Sequence, residues 1–97
     1  MEDRFGPLRE ATAAALLRGP AATPAELRQF VARGAPPPEL ATLVEKIRRH
    51  AYEVTDQDLE ALRNHYREDQ LFEIVVAAAF GAAEERLAAG RRALEEA

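Results

Sequence analysis

Glu68-Asp-Gln-Leu-Phe-Glu-Ile-Val-Val-Ala-Ala-Ala-Phe80-Gly-Ala-Ala-Glu-Glu-Arg-Leu-Ala-Ala-Gly90-Arg-Arg-Ala-Leu-Glu-Glu-Ala97 decides the fold. It holds no proline, is apolar on nearly every side from Leu71 to Ala83, and turns strongly charged from Glu84 onward. A helix that is apolar all round must be buried all round. The residues before it offer few large side chains to surround it, so a partner subunit is expected. A bilayer span needs about 20 apolar residues. The Leu71 to Ala83 run, with Glu73 inside it, is too short for that. It is read as a buried core helix, and no membrane partner is expected. Glu68 and Asp69 near its start and Arg86, Arg91 and Arg92 toward its end match the polarity of the helix dipole. Gly81 and Gly90 each cost about 1 kcal/mol relative to alanine in a helix interior. Gly81, beside Phe80 and alanines, marks a close helix contact; Gly90 is read as ending the core helix and leaving 91–97 as a short tail.

Proline and glycine cut the preceding residues into further helical segments, and no interval alternates as a strand would. Pro7 suits a first turn, Leu8, Ala11, Ala15 and Leu16 fall on one stripe, and Gly19-Pro20 stops this helix near Arg18. Thr23-Pro-Ala-Glu26 has the form of a capping box opening a second helix, with Leu27, Phe30 and Val31 inward and Gly34 at its end. Pro36, Pro37 and Pro38 make a rigid extended connector. Leu40, Leu43, Val44, Ile47 and Ala51 then follow helical spacing while Glu45, Lys46, Arg48 and Arg49 point outward. Thr55 with Asp58 reads as another cap, opening a short helix that buries Leu59 and Leu62 and ends near Asn64 to Tyr66. The expectation is an all-α fold: one domain over 1–97, a small bundle of about five helices with a long central C-terminal helix. Its parts are an N-terminal helical pair over 1–35 and a core over 36–97.

Composition removes several function classes. Ninety-seven residues is the size of one domain, and 21 of them are alanine, which packs helices closely but supplies little apolar area. Acidic and basic residues interleave at a net charge of −4, without the basic stripe that phosphate binding needs, so nucleic acid is not an expected partner. The segment 55–83 has the outline of a helix-turn-helix, but its would-be recognition helix is apolar with an acidic start and would repel phosphate. With no cysteine, disulfides, thiolate metal sites and thiol catalysis are excluded. Met1-Glu-Asp-Arg4 resembles neither a secretory signal nor a transit peptide, which makes the cytoplasm the expected location.

Only His50 and His65 titrate near neutrality, so acid–base chemistry would use one of them or a shifted carboxylate. His50 is followed by Tyr52, Glu53, Asp56 and Asp58, residue types that can relay protons or hold a hard cation. The simpler account is that His50 stabilises a helix C-terminus and the acids belong to the next helix start. His65, beside Tyr66, reads as a solvent-facing helix end. No cofactor is implied and no metal ligand set is assigned.

Four segments, Pro38-Glu-Leu-Ala-Thr-Leu-Val-Glu-Lys-Ile47, His50-Ala-Tyr-Glu53, Asp58-Leu-Glu-Ala-Leu62 and Glu68-Asp-Gln-Leu-Phe-Glu-Ile-Val-Val-Ala-Ala-Ala79, stand in this order along the chain. Together they resemble the carboxymuconolactone decarboxylase and alkylhydroperoxidase D superfamily. The likeness covers about residues 36–90 and is strongest in the acidic start of the alanine-rich helix. Peroxidase members use a Cys-x-x-Cys pair, a following histidine and an upstream glutamate. Aligned on Tyr52, the cysteine positions fall on His50 and Glu53 and the histidine position on about Gln57, while Glu39 or Glu45 matches the upstream acid. A disulfide cycle needs two sulfurs, so thiol peroxidase activity is impossible here. The resemblance implies an all-helical homo-oligomer, a dimer, trimer or hexamer, without the redox reaction. Two functions follow as expectations. One is a non-redox, catalytically degenerate binding or scaffold oligomer. The other is a thiol-independent decarboxylase or isomerase using His50 with Glu53 or Glu39 in a subunit-interface pocket that takes a small carboxylate.

Overall fold

The computed structural model describes residues 6–96, so the readings on Met1 to Arg4 and on Ala97 lie outside the described residues. Five α-helices follow one another: α1 (Gly6–Arg18), α2 (Ala25–Ala32), α3 (Ala41–His50), α4 (Asp56–Glu60) and α5 (Glu68–Glu96). Single 3₁₀ turns at Pro38–Leu40 and Ala51–Glu53 flank α3, and no strand occurs among the described residues. The all-α bundle with a long C-terminal helix is therefore the fold.

The core forms where α2, α3 and the turn after α4 press on the first half of α5. Val31, Leu40, Leu43, Val44, Ile47, Leu62, Leu71, Ile74, Ala77 and Ala78 are its buried members. The helical period explains α3, whose inward stripe is buried from Leu40 to Ile47 while Ala51 is exposed. Gly81 is where α2 and α5 come closest. A Cβ there would overlap the Ala32 carbonyl, so only glycine permits the contact.

Caps account for the helix ends. Thr55 and Asp58 form the expected capping box. Thr55 Oγ1 accepts from the Asp58 amide at 3.3 Å and Asp58 Oδ2 accepts from the Thr55 amide at 2.9 Å. After α2 the Ala35 amide bonds Phe30 O at 2.9 Å and the Gly34 amide bonds Val31 O at 3.1 Å. This is a Schellman closure with Gly34 at φ 76. Gly34 also leaves room for Arg48, whose Nε would lie 2.9 Å from a Cβ at that position. The triple proline stays outside the α-helices, and Pro37 is extended at φ −55 and ψ 154.

Five local expectations are corrected. Thr23 and Glu26 form no capping box. Pro24 occupies the N-cap of α2 without a side-chain bond, because Thr23 Oγ1 is committed to Glu73 at 2.6 Å. Of the apolar face read on α2, Val31 is buried and Leu27 half-buried, while Phe30 is exposed with the Arg33 guanidinium over its ring. On α1 the stripe of Leu8, Ala11 and Ala15 is exposed, whereas Ala13, Ala14, Leu16 and Leu17 are half-buried; alanine-rich helices carry too weak a periodicity to fix the inward side. Regular helix in α4 stops at Glu60, with successive turns carrying the chain to Tyr66. Gly90 does not end α5, which runs on to Glu96, since no αL residue or proline follows to stop it.

Candidate functional site

His50 ends α3 as the third basic residue of its last turn, after Arg48 and Arg49, where positive charge offsets the exposed carbonyls. The chain then bends into the 3₁₀ turn that carries Tyr52 and Glu53. His50, Tyr52 and Glu53 are all exposed, Tyr52 at 83%. The Tyr52 hydroxyl stands 3.5 Å from His50 Nδ1, at the outer limit for a hydrogen bond. The two rings are tilted at a centroid distance of 5.6 Å.

Glu39, exposed in the 3₁₀ turn before α3, has a different partner. It accepts a hydrogen bond of 2.7 Å from the Tyr66 hydroxyl. That bond, helped by the turn backbone, holds the Glu39 carboxyl below its ordinary range, while burial and then Glu39 push Tyr66 up to about 12. Among the described residues no hydrogen bond or ion pair joins His50 to Glu39 or to Glu53. Asp58, read above as a member of the acidic group, is committed to Lys46 Nζ at 2.9 and 3.0 Å and to the α4 cap, and both keep its carboxyl below the ordinary range. No group of three or more His, Asp or Glu side chains is gathered to hold a metal ion among the described residues.

The larger described cavity lies elsewhere. It is a groove of about 610 Å³ between α3, α5 and the segment after α2, and Glu45, Arg48, Arg49, Glu85 and Arg86 supply its polar lining. His50, Glu53 and Glu39 do not line it. Arg48 crosses the groove, donating from Nη1 to Ala32 O at 2.8 Å and from Nη2 to Glu85. Arg86 in turn donates to the Arg48 carbonyl. Arg48 is the main reason that the Glu85 carboxyl sits below its ordinary range. Arg49 is held by an exposed pair with Glu45 at 3.7 Å. Such a contact is worth little in water, so its guanidinium is available to an incoming anion.

A second polar centre escaped the sequence reading. Glu73 projects from the apolar run and accepts from the Thr23 hydroxyl at 2.6 Å, the Thr23 amide at 2.8 Å and the Ala22 amide at 2.9 Å. Burial raises its carboxyl, but these three bonds outweigh burial and leave it below the ordinary value of 4.5. Beside it Arg28, 3% exposed, donates to Leu16 O at 2.6 Å and to Gly19 O, closing the C-terminal end of α1. A lone acid inside an apolar run was the available signal, since a buried charge requires partners.

The fold and its surface features define an all-helical bundle with an arginine-lined groove and a solvent-exposed histidine turn. No protein-family model matches this chain, and no curated protein or solved structure matches it either.

Proposed function

We propose that the chain acts as an oligomeric binding or scaffold protein, non-redox and catalytically degenerate, of the carboxymuconolactone decarboxylase-like kind. The observation that carries this reading is the uncovered apolar side of α5, where Phe72 is 70% exposed, Leu94 75% and Leu87 42%. Contiguous apolar surface of this kind marks a surface that meets another molecule. The candidate catalytic residues add support by their position. His50 and Glu53 stand in open solvent, Glu39 is engaged by Tyr66, and none of the three faces the groove. No described residue of the same chain encloses His50, so proton transfer to a bound carboxylate would need a pocket completed by a second subunit.

The ligand class that suits the groove is a small carboxylate, because Arg49 offers a planar donor fork beside Arg86 and Arg48. Calorimetric titration with a small dicarboxylate is the test. Saturable binding that Arg49→Ala weakens about 10-fold and His50→Ala leaves unchanged is the expected result. Turnover of the carboxylate that disappears in His50→Ala would overturn this reading in favour of the thiol-independent decarboxylase or isomerase.

A further inference from the structure

Phe72, Val76, Ala79, Ala83, Leu87, Gly90 and Leu94 follow one another at spacings of four, three, four, four, three and four. That spacing holds all seven on one face of a helix. No charge interrupts it. It is the face turned away from the buried residues Leu71, Ile74, Ala78 and Ala82, and every member is exposed except half-buried Val76.

The two halves of this stripe lack complementary things. Phe72, Val76 and Ala79 belong to the part of α5 that the bundle holds from behind; α1 flanks Phe72 and Val76 across a small cavity, and among the described residues Phe72 and Ala79 stay exposed. Leu87, Gly90 and Leu94 belong to the part beyond Ala82, which is tied to the bundle by polar contacts such as Arg48 to Glu85 but contributes no buried residue, so apolar packing from its own chain does not hold the end of the helix. Gly90 is unexplained within the chain. A Cβ there would meet nothing within 4 Å. Yet glycine costs about 1 kcal/mol relative to alanine in a helix interior.

We infer that a second copy of this chain covers the stripe, with the two α5 helices antiparallel and a two-fold axis at Ala83. The spacing reads the same in both directions from Ala83, so each stripe residue meets one of the other copy. Phe72 lies against the second copy's Leu94, Val76 against its Gly90, Ala79 against its Leu87, and Ala83 against Ala83. Large side chains meet small ones at the inner pairs, which is how close-packed helix faces interdigitate. Gly90 then has a task, leaving space for Val76. Each projecting helix end covers the bare bundle face of the other copy, so one isologous contact meets both needs.

The inference rests on the oligomer reading above and adds its face, direction and register. The chain has no cysteine, so single introduced thiols report contacts without background. Phe72→Cys and Leu94→Cys chains, mixed and mildly oxidised, are expected to give the mixed disulfide in preference to either symmetric one. Ala83→Glu places two carboxylates at the axis and is expected to weaken dimerisation about 100-fold, with helix content by circular dichroism unchanged. Leu94→Asp repeats the test outside the bundle should Ala83→Glu fold poorly. An oligomer in which Phe72→Cys couples to itself, or in which neither substitution weakens assembly, would overturn this interface and leave the oligomer reading standing. A wild-type chain that stays monomeric at every concentration would overturn both.

Discussion

Glu73 and Gly81 act on the inner side of α5 in different ways: one brings a charge inward, the other lets a neighbouring helix come close. Replacing Glu73 with alanine strands the buried Thr23 hydroxyl and two amides. An unsatisfied buried group costs about 1–3 kcal/mol, and chemical denaturation is expected to show a loss of that size for Glu73→Ala. Gly81→Ala raises helix propensity, yet the Ala32 carbonyl sits where the Cβ must go. The substitution is expected to destabilise by about 1–3 kcal/mol from overpacking. A stabilised Gly81→Ala chain would show that α2 and α5 do not meet there. Tyr66 gives a third residue-scale check. In a Tyr52→Phe background its alkaline absorbance titration is expected near 12, and Glu39→Gln is expected to lower that midpoint. An unmoved midpoint would break the Glu39 to Tyr66 link that separates Glu39 from His50.

Among the elements, α5 divides by burial at about Ala82. All its buried residues lie at or before that point, while the remainder presents Leu87 and Leu94 to solvent. Deleting 87–97 is therefore expected to leave the bundle folded, with denaturant stability of the monomeric chain within about 1 kcal/mol, and to abolish assembly. Loss of folding on truncation would place core packing in a segment where the structure has none. The same helix shows what was legible in the sequence. Its existence, its start at Glu68 and its acidic first turn follow from the apolar run and the charges before it, although its last turn carries no basic residue, and the Thr55 and Asp58 cap was equally plain. The extent past Gly90 was not, because glycine stops a helix only with an αL turn or a following proline, and neither is encoded locally. The Thr23 cap was misread for a tertiary reason, since Glu73, fifty residues away, takes the hydroxyl. The site was less legible than the fold. His50 at the end of α3 was read correctly, but grouping it with Glu39 needed the third dimension, in which Tyr66 is the partner of Glu39.

For the molecule as a whole, charge placement sets the response to acid. Glu39, Asp58, Glu73 and Glu85 all sit below their ordinary values when folded, so the unfolded chain binds more protons in that range. Their contribution is complete above the ordinary values of 3.8 to 4.5 and is lost as pH falls through the lowered folded values. Thermal unfolding midpoints are expected to be flat from about pH 7 to about pH 5 on this account and to drop steeply below about pH 4. The long axis is 47 Å against 28 and 18 Å for the others, and α5 has 29 residues. A helix of that length spans about 44 Å. So α5 sets the shape, and an assembly through it would set the function. Light scattering after size exclusion, over a range of protein concentrations, tests this most directly. The account predicts a stable species of twice the 10.7 kDa chain mass. A mass that remains at 10.7 kDa at every concentration would contradict it.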